Sequence, residues 1–160
     1  TMDHTVHVVD LMRWLAQDEV SEVYAEISNG IGHQEYDDVG FLSLVFRSGV
    51  IGTLDASWSR PKSFPTWGDV TLSVVTTRGT LAMDMFSQNL VLYSDQTGTV
   101  SWDNWGSNMD DGLVGAFASA IRDGKQAPIT GEDGLRAAEV AIAAYRSSQT
   151  IAPVRLPMDM

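Results

Sequence analysis

The sequence has no cysteine. Disulfides and thiolate metal sites are thereby excluded, and the chain fits a reducing, cytoplasmic compartment. Basic residues are scarce: 10 Lys and Arg stand against 21 Asp and Glu, for a formal charge of -11. A surface of that sign repels phosphate backbones and anionic headgroups, so neither nucleic acid nor a membrane is an expected partner. No apolar run reaches the roughly 18 residues of a membrane span, and no basic segment precedes an apolar one as in a signal peptide. Proline is sparse too, and two of the five, Pro61 and Pro65, sit together in one segment that cannot continue a central strand. Internal repeats and low-complexity tracts are missing, as is any Gly-x-Gly-x-x-Gly between a strand and a helix, the phosphate cradle of dinucleotide sites. What remains, 44% hydrophobic and 19% charged, suits one packed domain spanning residues 1–160.

Periodicity divides that domain into few elements. Val8, Leu11, Met12 and Leu15 recur at helical spacing and predict an N-terminal helix with an apolar stripe. Glu19 to Ser28 is dense in strand-favouring residues, and Val39–Arg47 joins Val50–Ser59 through Ser48-Gly49 as a β-hairpin. In the second arm, Leu54, Ala56 and Trp58 share the apolar face, opposite Thr53, Asp55 and Ser57. Val70–Thr77 turns at Arg78-Gly79 into Thr80–Met85, and shorter strands follow at Leu90–Tyr93 and Val100–Trp102. Leu113, Val114, Phe117 and Ile121 mark a second helix stopped by Gly124. A third starts at Thr130, with Asp133 as a capping-box variant, and Val154–Pro157 is an edge strand or a tail. The predicted class is α+β: an open, largely antiparallel sheet of six or seven strands with helices on one face.

The chemistry gathers at the first helix. At about 100° per residue, Asp3, His7 and Asp10 fall within a sector of roughly 60° beside the apolar stripe, provided the helix reaches back to Asp3. An imidazole held by a carboxylate one turn away suits general acid-base work near neutral pH. Spacing alone equally allows Asp3 as a helix cap, His7 as a histidine bonded to it and Asp10 as a solvated residue. A metal site built from Asp3, His4, His7 and Asp10 is a rival, weakened because His4 points about 60° or more away from the shared edge. No metal is expected.

The motif Asp3-x-x-x-His7-x-x-Asp10 followed by Leu11 and Arg13-Trp14-Leu15 resembles the glucose-fructose oxidoreductase, inositol dehydrogenase and MocA group of NAD(P)-dependent oxidoreductases. A second resemblance runs from Pro128 to Glu139, similar to that family's penultimate helix entry. The likeness implies the family's C-terminal domain, with a sheet left open on its far face, and places His7 and Asp3 against the substrate carbon and its hydroxyl. It implies proton transfer for His7, orientation of substrate and imidazole for Asp3, and support of the site for Asp10. It implies NAD or NADP in a complete protein, but the family's Glu-Lys-Pro lysine and its glycine fingerprint have no match in these residues. The chain therefore reads as a fragment that binds no cofactor itself and is inactive alone.

Arg60, Lys62, Trp67 and His33 can line a sugar-binding cleft, since aromatic faces and cations suit polyols and their acids, or be loop residues with no role. Arg60 and Trp67, with Asp10, are the candidate substrate contacts. The expected partners are a sugar or polyol and further copies of the chain joined through the open Thr/Ser-rich sheet face. A noncatalytic ligand-binding or assembly module on the same fold is the alternative.

Overall fold

The computed structural model describes residues 1–33, 35–65 and 68–158, with backbone alone at 103 and 104. The described chain forms two compact units, one from Thr1–Ser59 with Asp123–Met160 and the other from Arg60–Arg122.

The first unit holds helix α1 (Met2–Ala16), strands β1 (Val20–Ser28), β2 (Val39–Phe46) and β3 (Ile51–Asp55), and, later in the chain, α3 (Gly131–Thr150) and β8 (Val154–Arg155). Its sheet is antiparallel in the order β3-β2-β1-β8. The β2–β3 turn places Gly49 at φ 89°, a conformation that glycine adopts without a Cβ penalty. Alternation then sorts the side chains. Leu42, Leu44, Phe46, Leu54 and Ala56 are buried on one face with Val23 and Ala25, and α1 and α3 cover them through Val9, Val140, Ala143 and Ala144. Each fully buried Leu or Val contributes about 1.5–3 kcal/mol relative to exposure. The opposite face carries Phe41, Ser43, Val45, Ile51, Thr53 and Asp55, with Phe41 and Ile51 exposed.

Helix α3 begins with the expected capping box: Thr130 accepts from the Asp133 amide while Asp133 accepts from the Thr130 amide at 2.8 Å. Its buried face is mostly alanine, which lets the helix lie close to β1. Because β8 pairs only with Glu22 and Val23, the next amides of β1 lack a strand partner. Two serines of α3 take them: Ala25 N–H donates to Ser147 Oγ at 3.0 Å and Ile27 N–H to Ser148 Oγ at 3.1 Å.

The stripe of α1 differs from the expected one. Thr5, Val9 and Arg13 form the fully buried line, Val8 and Met12 flank it, and Leu15 is exposed. Arg13 tolerates burial because its guanidinium meets Glu19 at 2.8 and 2.6 Å, Asp10 at 3.2 Å and the Asp133 carbonyl at 3.3 Å. These contacts tie α1, the start of β1 and the start of α3 together. They hold the Arg13 pKa above its ordinary value, with the Glu19 hydrogen bond leading and burial opposing.

The second unit holds a hairpin of β4 (Thr71–Thr76) and β5 (Gly79–Asp84), a hairpin of β6 (Asn89–Ser94) and β7 (Thr99–Asn104), and α2 (Met109–Arg122). The α+β class and the antiparallel pairing agree with expectation, whereas the continuous sheet of six or seven strands is replaced by one four-stranded sheet and two hairpins. Tight turns satisfy each hairpin locally, and the Pro61–Pro65 segment interrupts the ladder after β3. No helix among the described residues is long and apolar enough to cross a membrane.

Candidate functional site

Helix α1 reaches back to Met2, so the condition for a shared edge is met. Asp3 and His7, one turn apart, are both exposed while the other side of the helix is buried. Among the described residues, the ionic partner of Asp3 is the adjacent His4, whose Nε2 lies 3.9 Å from its carboxylate, rather than His7. Asp10 is drawn toward Arg13 and is held at 3.2 Å from it. Asp3 and His7 thus stand free of the core network, whereas Asp10 is part of it.

Two aromatic residues from distant segments approach α1 at His4, to one side of this edge. The Trp58 ring lies 5.6 Å from that of His4, and Tyr36 meets Trp58 edge-on at 6.0 Å. Trp58 was expected on the apolar face of its strand; it lies beyond the end of β3 and is 49% exposed. Its placement next to an Arg-Pro pair, where a strand must end, is the one sequence signal for this. Nothing local in the sequence links Tyr36 to it.

Arg60 lies in the second unit, where its guanidinium forks onto Asp69, with Nε at 3.1 Å, and covers the Phe64 ring at 4.9 Å. Its charge therefore has an anionic partner, and a substrate acid would have to compete with Asp69 for it. Trp67 lies outside the described residues. His33 sits in a loop at φ 52° and Lys62 is exposed. The second unit also holds a recess of about 180 Å³ between Phe64, Asp69, Asp84 and Trp102.

Among the described residues, no group of three or more His, Cys, Asp or Glu is placed to hold a metal. The helix starts among the described residues are poor cradles for a dinucleotide pyrophosphate. All three helices carry carboxylates in the first turn: Asp3 in α1, Asp110 and Asp111 in α2, Glu132 and Asp133 in α3. In α2 the Asp110 and Asp111 amides already donate to Asn108, and in α3 the Asp133 amide donates to Thr130. An anion there meets negative charge and engaged donors, the opposite of a phosphate-binding helix start.

Residues 1–82 match the family model described as the GFO/IDH/MocA C-terminal domain. The chain belongs to this family. As a GFO/IDH/MocA C-terminal domain it is 26% identical over 166 residues to the uncharacterized oxidoreductase YrbE of Bacillus subtilis, covering 97% of this chain and 47% of that one. It is 24% identical to the myo-inositol 2-dehydrogenase of Thermotoga maritima, over 97% of this chain and 48% of that one. The chain spans about half the length of these curated relatives. The fold is shared with GenD2 from gentamicin A biosynthesis, solved in complex with NAD, at a TM-score of 0.79 and 24% identity, over 98% of this chain and 47% of that one.

Proposed function

We propose that residues 1–160 are the C-terminal, substrate-facing domain of a cytoplasmic NAD(P)-dependent oxidoreductase acting on a sugar, polyol or related hydroxyl or carbonyl compound. The observation that carries this reading is the edge of α1: in a GFO/IDH/MocA C-terminal domain, Asp3 and His7 project into solvent from a helix whose other face is locked into the core. A rigid helix edge is a precise mount for proton transfer.

In the oxidising direction, a neutral imidazole of His7 accepts the substrate hydroxyl proton as the carbinol carbon gives up hydride; in the reducing direction the imidazolium returns it to the carbonyl oxygen. The hydride acceptor, NAD or NADP, would be held by residues other than the described ones. Asp3 supplies a carboxylate one turn from His7 that accepts from a substrate hydroxyl. Asp10, fixed by Arg13, would be a further substrate contact on the same helix. Copies of the chain would associate through the open sheet face around Phe41, Ser43, Ile51 and Thr53.

In the full-length protein, His7→Ala should lower kcat by about 10²- to 10⁴-fold while leaving NAD(P) affinity and melting temperature nearly unchanged. Asp3→Asn should lower kcat with the fold intact. Steady-state kinetics, cofactor titration and thermal melts decide it. Lower melting temperatures with full turnover would reduce both residues to scaffolding and favour a noncatalytic ligand-binding or assembly module.

A further inference from the structure

We propose that Tyr145 of α3 and Asp37 of the β1–β2 connection are positioning residues, which cap the start of α1 from outside and so fix the turns that carry Asp3 and His7. Their role in turnover rests on the oxidoreductase reading above.

Helix α1 does not cap itself. Its N-cap residue Thr1 makes no side-chain cap hydrogen bond, and the Thr1 hydroxyl is buried without a hydrogen-bond partner among the described residues. The amides of a helix start nevertheless need acceptors. The Tyr145 hydroxyl supplies one, accepting from the Met2 amide at 3.3 Å while it donates to Asp37 Oδ1 at 2.6 Å. The Thr1 nitrogen donates to the other Asp37 oxygen, and a carboxylate at this end complements the positive pole of the helix dipole. Burial, and then the Asp37 hydrogen bond, hold the Tyr145 phenol above its ordinary pKa, so the hydroxyl keeps its proton and its part as donor.

The base of this cap is rigid. Tyr145 stands on α3 between Ala143, Ala144 and Ser147, all buried. Gly40 of β2 gives a second support, because a Cβ there would collide with the Thr1 side chain and its lack lets the helix start settle onto the strand. The capped amide belongs to Met2, next to Asp3, and His7 follows five residues on, about 7.5 Å along the axis. The amides of Val6 and His7 close onto the carbonyls of Met2 and Asp3, so a frayed start would loosen the mount of both side chains.

The test is a double-mutant cycle on kcat in the full-length protein, with Tyr145→Phe, His7→Ala and the two combined, beside hydrogen exchange at the Val6 and His7 amides of Tyr145→Phe. Removing that one hydroxyl should speed exchange there and lower kcat about tenfold with little change in KM, since a misplaced proton carrier costs rate more than affinity. Gly40→Ala displaces the same helix start from another side and should reproduce the split. In the His7→Ala background, the loss from Tyr145→Phe should shrink to within about twofold, because the group it positions is gone. An equal loss in both backgrounds, a normal kcat in Tyr145→Phe, or unchanged exchange would each overturn the positioning role. Full turnover in His7→Ala would overturn the oxidoreductase reading and this role with it, whereas lost turnover in His7→Ala beside a fully active Tyr145→Phe would overturn this role alone.

Discussion

Replacing Arg13 with methionine keeps the aliphatic stem that fills its place on α1 and removes the charge that Glu19, Asp10 and Asp133 surround. Arg13 is 7% exposed, and the three carboxylates are 32%, 31% and 34% exposed. Breaking a fully buried pair costs about 3–5 kcal/mol, but water reaches these carboxylates once the guanidinium is gone, so a loss of about 2–3 kcal/mol is expected. For a domain of this size that corresponds to a melting temperature lower by roughly 5–10 °C. The effect also has a pH signature. Glu19 is held below its ordinary value of 4.5, first by the Arg13 hydrogen bonds, with burial opposing. A depressed carboxylate stabilises the folded chain fully above its unfolded pKa and stops doing so as pH falls through the lower folded value. The gap between the unaltered chain and Arg13→Met should therefore be full at neutral pH and narrow progressively below about pH 4.5. Circular dichroism melts across that range are sufficient. A gap that is negligible at neutral pH, or as wide at the acid end as at neutral pH, would refute the network as a stabilising element.

Ser147→Ala should strand the buried Ala25 amide, at about 1–3 kcal/mol, and hydrogen exchange at Ala25 should accelerate relative to Leu42 on the neighbouring strand. Equal protection in both proteins would show that the serine is not that amide's working partner. Phe41→Glu with Ile51→Glu should lower the sedimentation mass of the chain at fixed concentration, and association of the unaltered chain should strengthen with salt as its -11 charge is screened. A unaltered chain that stays strictly monomeric at high salt would remove the sheet face as an assembly surface.

Elements whose signal is local were readable in the sequence. The Ser48-Gly49 turn specified the β2–β3 hairpin, the Thr130–Asp133 box marked the start of α3, and helical spacing put Asp3 and His7 on one edge of α1. Where the deciding partner is distant, the sequence was silent. The burial of Arg13 has no local signal because its neutralisation comes from Glu19 beyond the helix end and from Asp133, 120 residues away. Its burial rotates the packed face toward Thr5 and Val9 and leaves Leu15 outside. Likewise the Asp3–His4 pairing is a matter of side-chain torsions, and Tyr36 meets Trp58 from a separate loop, neither of which leaves a periodic trace.

The serines that close β1 also set a limit on growth. A sheet with two bare margins can be extended by copy after copy, which is how ordered aggregates propagate. Here one margin of the four-stranded sheet is reduced to the two residues of β8, and the amides past it point into hydroxyls of α3. That margin therefore offers a further strand little to pair with. A second copy arriving on this side would find two residues of ladder, too few to hold a strand, so lateral zippering stops there before it starts.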